Sequence, residues 1–279
     1  MIVMNGQAVD INQVQLAGVD NQQLNILERL GASSSVYRYD SYDQLAFELH
    51  MRVATVQAAL LLQESNASFA TFETARCNEQ YWQLTRQGGF RLKPNVLPQI
   101  GIDDIFLQGH QYAFECAVAI VIIFYKATLG SIDKSLFNLL FANLYLFSWQ
   151  YDEDLDLRTH EGDDFIPGDC VYFRNPDYDP ASPEWQGENA IVIDRNLFFG
   201  HGIGLKTQQG MIDILNTKRR RLSQQSAYLD RHITRPNYNY LSQFRSLADR
   251  PPVRLSLSSS SSPLSELIFA QVGSRLFLA

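Results

Sequence analysis

The residues predict an α+β fold: a central buried helix set against an antiparallel sheet, with additional helices around them. Three observations carry this. Ala117 to Tyr125 reads AVAIVIIFY, apolar on every side, as a helix enclosed by protein reads. The later part of the chain holds short runs rich in β-branched and aromatic residues, DCVYFRN, ENAIVID and LFFGHGIGL, the composition of strands. Between Tyr42 and Gln63 the apolar residues recur at helical spacing, which adds a second long helix.

In chain order, Ser41 is the expected N-cap of the helix from Tyr42 to Gln63, with Asp43 and Gln44 in its first turn. SFATFETARCNEQYWQL reads as two short strands around a polar turn at Arg76 to Glu79, and KPNVLPQIGIDD as a loop. The buried helix follows from about Gln111 to Leu129, and another runs from about Lys134 to Leu144. A polar loop, YDEDLDLRTHEGDDFIPGD, precedes the three strands. A helix is expected from about Gly210 to Thr217, then the basic run KRRR, read as a solvated face over an anion or partner site. Residues 1–247 form one expected domain. Residues 248–279 are a serine-rich linker and an apolar tail, to which no chemistry is assigned.

Bulk properties narrow the function. The chain has 279 residues, 46% hydrophobic and 19% charged, enough to bury a large core. A formal net charge of -7 provides no basic footprint for nucleic acid. AVAIVIIFY is far shorter than the roughly 20 residues that span a bilayer, and the N-terminus lacks a secretory pattern, so no membrane partner and synthesis in the cytoplasm are expected. The three cysteines, Cys77, Cys116 and Cys170, lack the spacing of a disulfide framework or a zinc site. No metal site or cofactor is expected, and no acidic loop of the kind that binds calcium is present.

Cys116 stands near the head of the buried helix, where unsatisfied N–H groups favour thiolate over thiol and can hold an oxyanion. The competing reading is a small hydrophobe filling space beside Ala113 and Ala117. ENAIVID and LFFGHGIGL form an expected hairpin. A two-residue turn at Asp194-Arg195 would pair Ile193 with Asn196 and place Glu188 opposite His201 on one face. A helix-borne thiol facing an acid and an imidazole on a sheet is a papain-like arrangement for acyl transfer. Glu188 as a strand-end surface carboxylate and His201 as a turn residue are the plain alternatives.

YAFECAVAIVIIFY, GDCVYFRNPDYDP, WQGENAIVI, FFGHGIG and QQSAYL, with FATFETARCNEQYW and YDQLAFELHMR, together resemble the bacterial spore-coat protein-glutamine gamma-glutamyltransferase family of bacilli over roughly Met1 to Ser246. The resemblance implies a papain-like core of the NlpC type, with Cys116 as nucleophile and Glu188 as its main partner. It implies that Glu115 assists or substitutes for Glu188 and that His201 completes the set. It also implies that Trp149 and Trp185 line the substrate passage. The implied reaction is calcium-independent transfer of a glutamine acyl group to a lysine amine, on protein substrates of the spore coat. Two rivals remain at this point: a papain-like peptidase or amidase acting on cell-wall peptides, and a non-catalytic coat protein. The family usually stops near Arg245, so the tail lies outside the resemblance, and Cys77 is a departure from its pattern.

Overall fold

The computed structural model describes residues 1–11, 14, 18–246 and two strands near the end, Phe269–Val272 and Arg275–Leu278. The last two pair antiparallel with each other. The serine run, and the rest of the 248–279 tail, lie outside the described residues.

Six helices of seven residues or more lie in the described chain: α1 Asn21–Ala32, α2 Tyr42–Glu64, α3 Pro98–Leu107, α4 Cys116–Leu129, α5 Lys134–Leu140 and α6 Gln208–Asn216. The main sheet has six strands: β1 Leu157–Glu161, β2 Cys170–Arg174, β3 Gly187–Asp194, β4 Leu197–Gly200, β5 Gly204–Lys206 and β6 Tyr228–Pro236. Their spatial order is β5-β4-β3-β2-β6-β1, with every pairing antiparallel. The mixed helix-and-sheet architecture is thus the expected one.

Helix α4 packs against α2 on one side and β3 on another. Twelve of its fourteen residues are buried, which is why it carries no polar face. Alternation along the strands sends Cys170, Ile191 and Phe199 into the same core as α4, and Val171, Ala190, Val192 and Phe198 into a second cluster on the far face. The N-terminal part adds a small layer. Ile2–Met4 pairs with Gln7–Ala8 and Tyr37–Tyr39, and α1 packs Ile26, Leu27 and Leu30 against Leu45, Leu49 and Val53 of α2.

Helix α2 is long and apolar enough to cross a membrane by length and composition, but it is packed inside the molecule. It also carries a buried charge. Arg52, fully enclosed, donates to Glu48 at 2.8 Å and to Asp169 at 2.9 Å, and Arg235 reaches Asp169 at 3.1 Å. Losing one partner of such a network leaves a charge stranded in the core, at a cost of about 3–5 kcal/mol. The network ties α2 to the residue just before β2 and so fixes the sheet against the helices.

Several sequence expectations are corrected. SFATFETARCNEQYWQL is not a hairpin. Ser68–Phe69 pairs in parallel with Ala113–Phe114, and Arg76 bridges Ala113. The hairpin lies further on, where Trp82–Leu84 meets Phe90–Leu92 across a tight turn with Gly88 at φ +85°. The stretch read as a loop contains α3, because proline is tolerated at the first helical position. Gly101 lies inside α3 for room: a Cβ there would come within 2.6 Å of Leu92 and 2.9 Å of Trp82. The buried helix begins at Cys116, not Gln111, and α5 ends at Leu140. The polar loop holds edge strand β1, and LFFGHGIGL is two strands, not one. Strand β6 had no counterpart in the sequence reading.

Candidate active site

The site is assembled at the head of α4. Glu115 is the N-cap, with extended backbone, and its carboxylate accepts from the N–H of Ala117 at 2.8 Å and of Val118 at 3.2 Å. Cys116 is the first residue of the helix. Two of the donors expected to stabilise a thiolate or an oxyanion are therefore already occupied by a neighbouring carboxylate. The thiol consequently moves against the sequence expectation. Burial, then the charges of Glu188 and Glu115, push it well above the ordinary cysteine value, against the pull of Asn189. At neutral pH the sulfur carries its proton. Asn189 Nδ2 donates to Cys116 Sγ at 3.3 Å. Glu115 is itself raised by burial, while its helix N–H bonds and a hydrogen bond with the thiol pull the other way.

The hairpin register differs from the expected one. Asp194 pairs with Leu197, a bulge follows, and Ala190 then pairs with Gly200. The turn is Arg195-Asn196, and the count runs one residue beyond a pairing of Glu188 with His201. One slip in a two-residue period turns a side chain to the other face. Glu188 instead accepts the backbone N–H of Gly202 at 3.0 Å. Gly200 and Gly202 make room for it: a Cβ at Gly200 would lie 2.6 Å from its Oε1, and one at Gly202 3.2 Å from its Oε2. Burial raises the Glu188 carboxyl to about 8, assisted by the charge of Glu115 and opposed by the Gly202 N–H. Its charge acts on the Cys116 thiol in turn.

His201 is not set against the thiol. Its Nε2 meets the carbonyl of Ser68 at 3.1 Å, and the ring stacks on Phe114 with centroids 4.6 Å apart. Desolvation lowers the imidazole to about 4, although the carbonyls of Ser68 and Phe114 favour the charged form. A ring that is neutral and committed to backbone oxygen is a poor proton acceptor at neutral pH, and it serves as a packing element below Phe69.

A cleft of about 940 Å³ opens over Cys116. Its floor runs across the sheet from Asn189 on β3 through Tyr172 and His232 to Thr159 on the edge strand. Phe69, Phe72 and Trp149 give it apolar walls, so Trp149 stands where the passage was expected. Trp185 lies behind the wall. Its indole packs 5.8 Å from the Phe69 ring, with the ammonium of Lys218 4.5 Å from its own centroid. Glu188 is 1% exposed and does not line the cleft; Glu115, Cys116 and Asn189 do. Asn189 was missed because nothing in WQGENAIVI separates it from a strand asparagine. Cys77 and Cys170 are buried free thiols elsewhere in the core. In the basic run, Arg219 caps Asn216 and Gln225 carbonyls and Arg220 pairs with Asp177, so these two are structural.

Comparison with known proteins agrees with this geometry. The family model for protein-glutamine gamma-glutamyltransferase matches residues 1–245. The chain is 45% identical over 233 residues to the enzyme of that name from Bacillus mycoides (strain KBAB4), covering 84% of each. It is 45% identical over 235 residues to that of Bacillus cereus (strain B4264), again covering 84% of each, and 46% identical over 224 residues to that of Bacillus anthracis (strain CDC 684 / NRRL 3495), covering 80% of each. Among solved structures it is similar to a transglutaminase from Geobacillus stearothermophilus without its C-terminal extension. The TM-score is 0.72 and the identity 52%, over 74% of this chain and 99% of that one. Agreement of this breadth in sequence and structure decides between a transferase and a peptidase on the same scaffold: the chain belongs to the protein-glutamine gamma-glutamyltransferase family and is a transglutaminase, acting on proteins that bear glutamine and lysine.

Proposed function

We propose that the reaction runs through Cys116, with Glu188 as its proton partner and Glu115 beside them, on a papain-like core of the NlpC type. The observation that carries this is a half-buried thiol at the foot of an apolar cleft, hydrogen-bonded by Asn189 and within reach of the charges of two raised carboxyls, Glu188 and Glu115. The helix-borne sulfur facing an antiparallel sheet supports the papain-like reading.

A glutamine side chain enters the cleft. The thiol gives its proton to Glu188 as sulfur attacks the carboxamide carbon. The tetrahedral adduct collapses, the nitrogen takes that proton and leaves as ammonia, and a thioester remains. A lysine amine then attacks the thioester, Glu188 takes the proton the nitrogen sheds and passes it to the departing sulfur, and an isopeptide bond and the starting thiol enzyme remain. A carboxyl near 8 suits both directions, because a group works best as acid and base when it titrates near the working pH. Glu115 holds the helix head and, hydrogen-bonded to the thiol, shares its proton with Glu188, while His201 supports Phe114 and Phe69.

Water competes with the amine for the thioester, and apolar walls favour the amine. Trp149→Ala is expected to raise the ratio of deamidation to crosslinking by about threefold to tenfold, measured as free ammonia against incorporated amine. An unchanged ratio removes this role from Trp149. Trp185 acts one layer back, by supporting Phe69.

We read the substrates as spore-coat proteins and the enzyme as a cytoplasmic product of the sporulating cell, on the strength of the motifs shared with that family. Catalysis requires no calcium in this scheme, since every step uses side chains of the chain. Activity in millimolar EGTA should therefore equal activity in added calcium; a requirement for the ion would contradict the scheme. The direct assay is incorporation of a fluorescent primary amine into a glutamine-bearing protein.

A further inference from the structure

When sulfur attacks a carboxamide, the C=O electron pair moves onto oxygen, and a negative charge appears one bond and one angle from Sγ. Here that charge forms beside Glu115 and close to Glu188. Glu188 has by then taken the thiol proton and is neutral, but a new negative charge beside Glu115 in a buried site still requires a hydrogen-bond donor aimed at it. Of the usual source, the first N–H groups of the helix, two are engaged: Ala117 and Val118 already donate to Glu115.

We propose that Asn189 supplies this donor, its side-chain amide holding the oxyanion of the acyl-transfer intermediate. The inference rests on Cys116 being the nucleophile. Asn189 is 8% exposed, lines the cleft, and directs Nδ2 at Sγ from 3.3 Å. It stands on the face of β3 shared with Ile191, towards α4. Its neighbour Glu188 lies buried behind the cleft surface. Two successive residues thus divide the work, the acid serving the proton and the amide serving the oxygen. In the resting enzyme Nδ2 rests on sulfur. As the S–C bond forms, a small rotation carries an N–H to the roughly 2.7–3.1 Å at which such a donor acts. When the adduct collapses, the oxygen pair re-forms the carbonyl and the contact returns to sulfur. The same cycle repeats when the lysine amine adds to the thioester.

Tyr172 is the competing donor. It faces Asn189 across the β2–β3 ladder, lines the cleft, and keeps its phenolic proton because burial pushes it up to about 12. The test compares Asn189→Ala, Asn189→Leu and Tyr172→Phe with the wild type and Cys116→Ala. Each is assayed for kcat and KM on a glutamine-bearing protein with a fluorescent amine, and for alkylation of Cys116 by iodoacetamide. Alkylation forms no oxyanion, so it reports the sulfur alone. Both Asn189 variants should lose about 10²–10³-fold in kcat, with KM within about threefold of wild type and alkylation within about threefold. Tyr172→Phe should lose less than about fivefold. Asn189 variants with wild-type kcat would overturn the proposal. So would a parallel fall in alkylation and kcat, which assigns Asn189 to the thiolate, or a large loss in Tyr172→Phe alone. Activity retained in Cys116→Ala would instead remove the nucleophile on which the inference stands.

Discussion

Cys116→Ala is expected to abolish amine incorporation, with a loss of at least about 10⁴-fold in kcat/KM. No other cysteine can take over. Cys77 and Cys170 are buried and free, Cys77 is raised to about 12, and neither lines the cleft. The fold should be nearly indifferent, because Cys116 is partly exposed and contributes one sulfur contact to Asn189. The measurement is label incorporation alongside a thermal melt. Activity above a few per cent of wild type would overturn the assignment. Serine at this position should also be inactive, since its hydroxyl ionises far less readily than a thiol beside the same two carboxyls.

Glu188→Gln is the second large effect, and it acts in two directions at once. Activity should fall by about 10²–10⁴-fold, the usual contribution of a positioned proton acceptor. Stability should rise. The carboxyl titrates near 4.5 when unfolded and near 8 when folded. Between those values the unfolded chain releases the proton while the folded chain retains it, so stability falls as pH rises, then levels off above about 8. The total is about 3–5 kcal/mol at 1.36 kcal/mol per pH unit. Glutamine keeps an oxygen for the Gly202 N–H and never ionises, so the variant should show that gain at pH 9 and little difference at pH 4. Denaturant melts at the two pH values measure it. The wild-type pH profile of kcat/KM should climb through about 8 as Glu188 loses its proton and becomes able to accept one from the thiol. A profile already flat from pH 6 would assign that step to another group.

Helix α2, with its Ser41 cap, was legible because helical periodicity and capping are local signals. Strands β2 and β3 were legible for the same reason. Strand β1 was not: LRTHE sits at the sheet edge, largely exposed, and has no apolar alternation to announce it. Ser68–Phe69 was misassigned because its partner lies over forty residues away, at Ala113–Phe114, and long-range parallel pairing leaves no mark within a short window. In the site, Cys116 and Glu188 were found through motif resemblance. The role of Glu115 as a helix cap depended on knowing that the helix begins one residue later, five positions after the expected start. His201 was placed by a register off by one: the turn lies one residue later than expected, at Arg195-Asn196, and a β-bulge between Val192 and Asp194, which has no sequence signature here, takes back half of the shift.

The two glycines that flank His201 have a further consequence. Neither has a backbone angle reserved for glycine; both are held by crowding around the Glu188 carboxyl. In a library of random substitutions, Gly200 and Gly202 should therefore score among the most intolerant sites although they carry no functional group. A reader of such a map would mistake them for chemistry, when what they contribute is vacancy: the absent methyls are the mould in which the acid is cast.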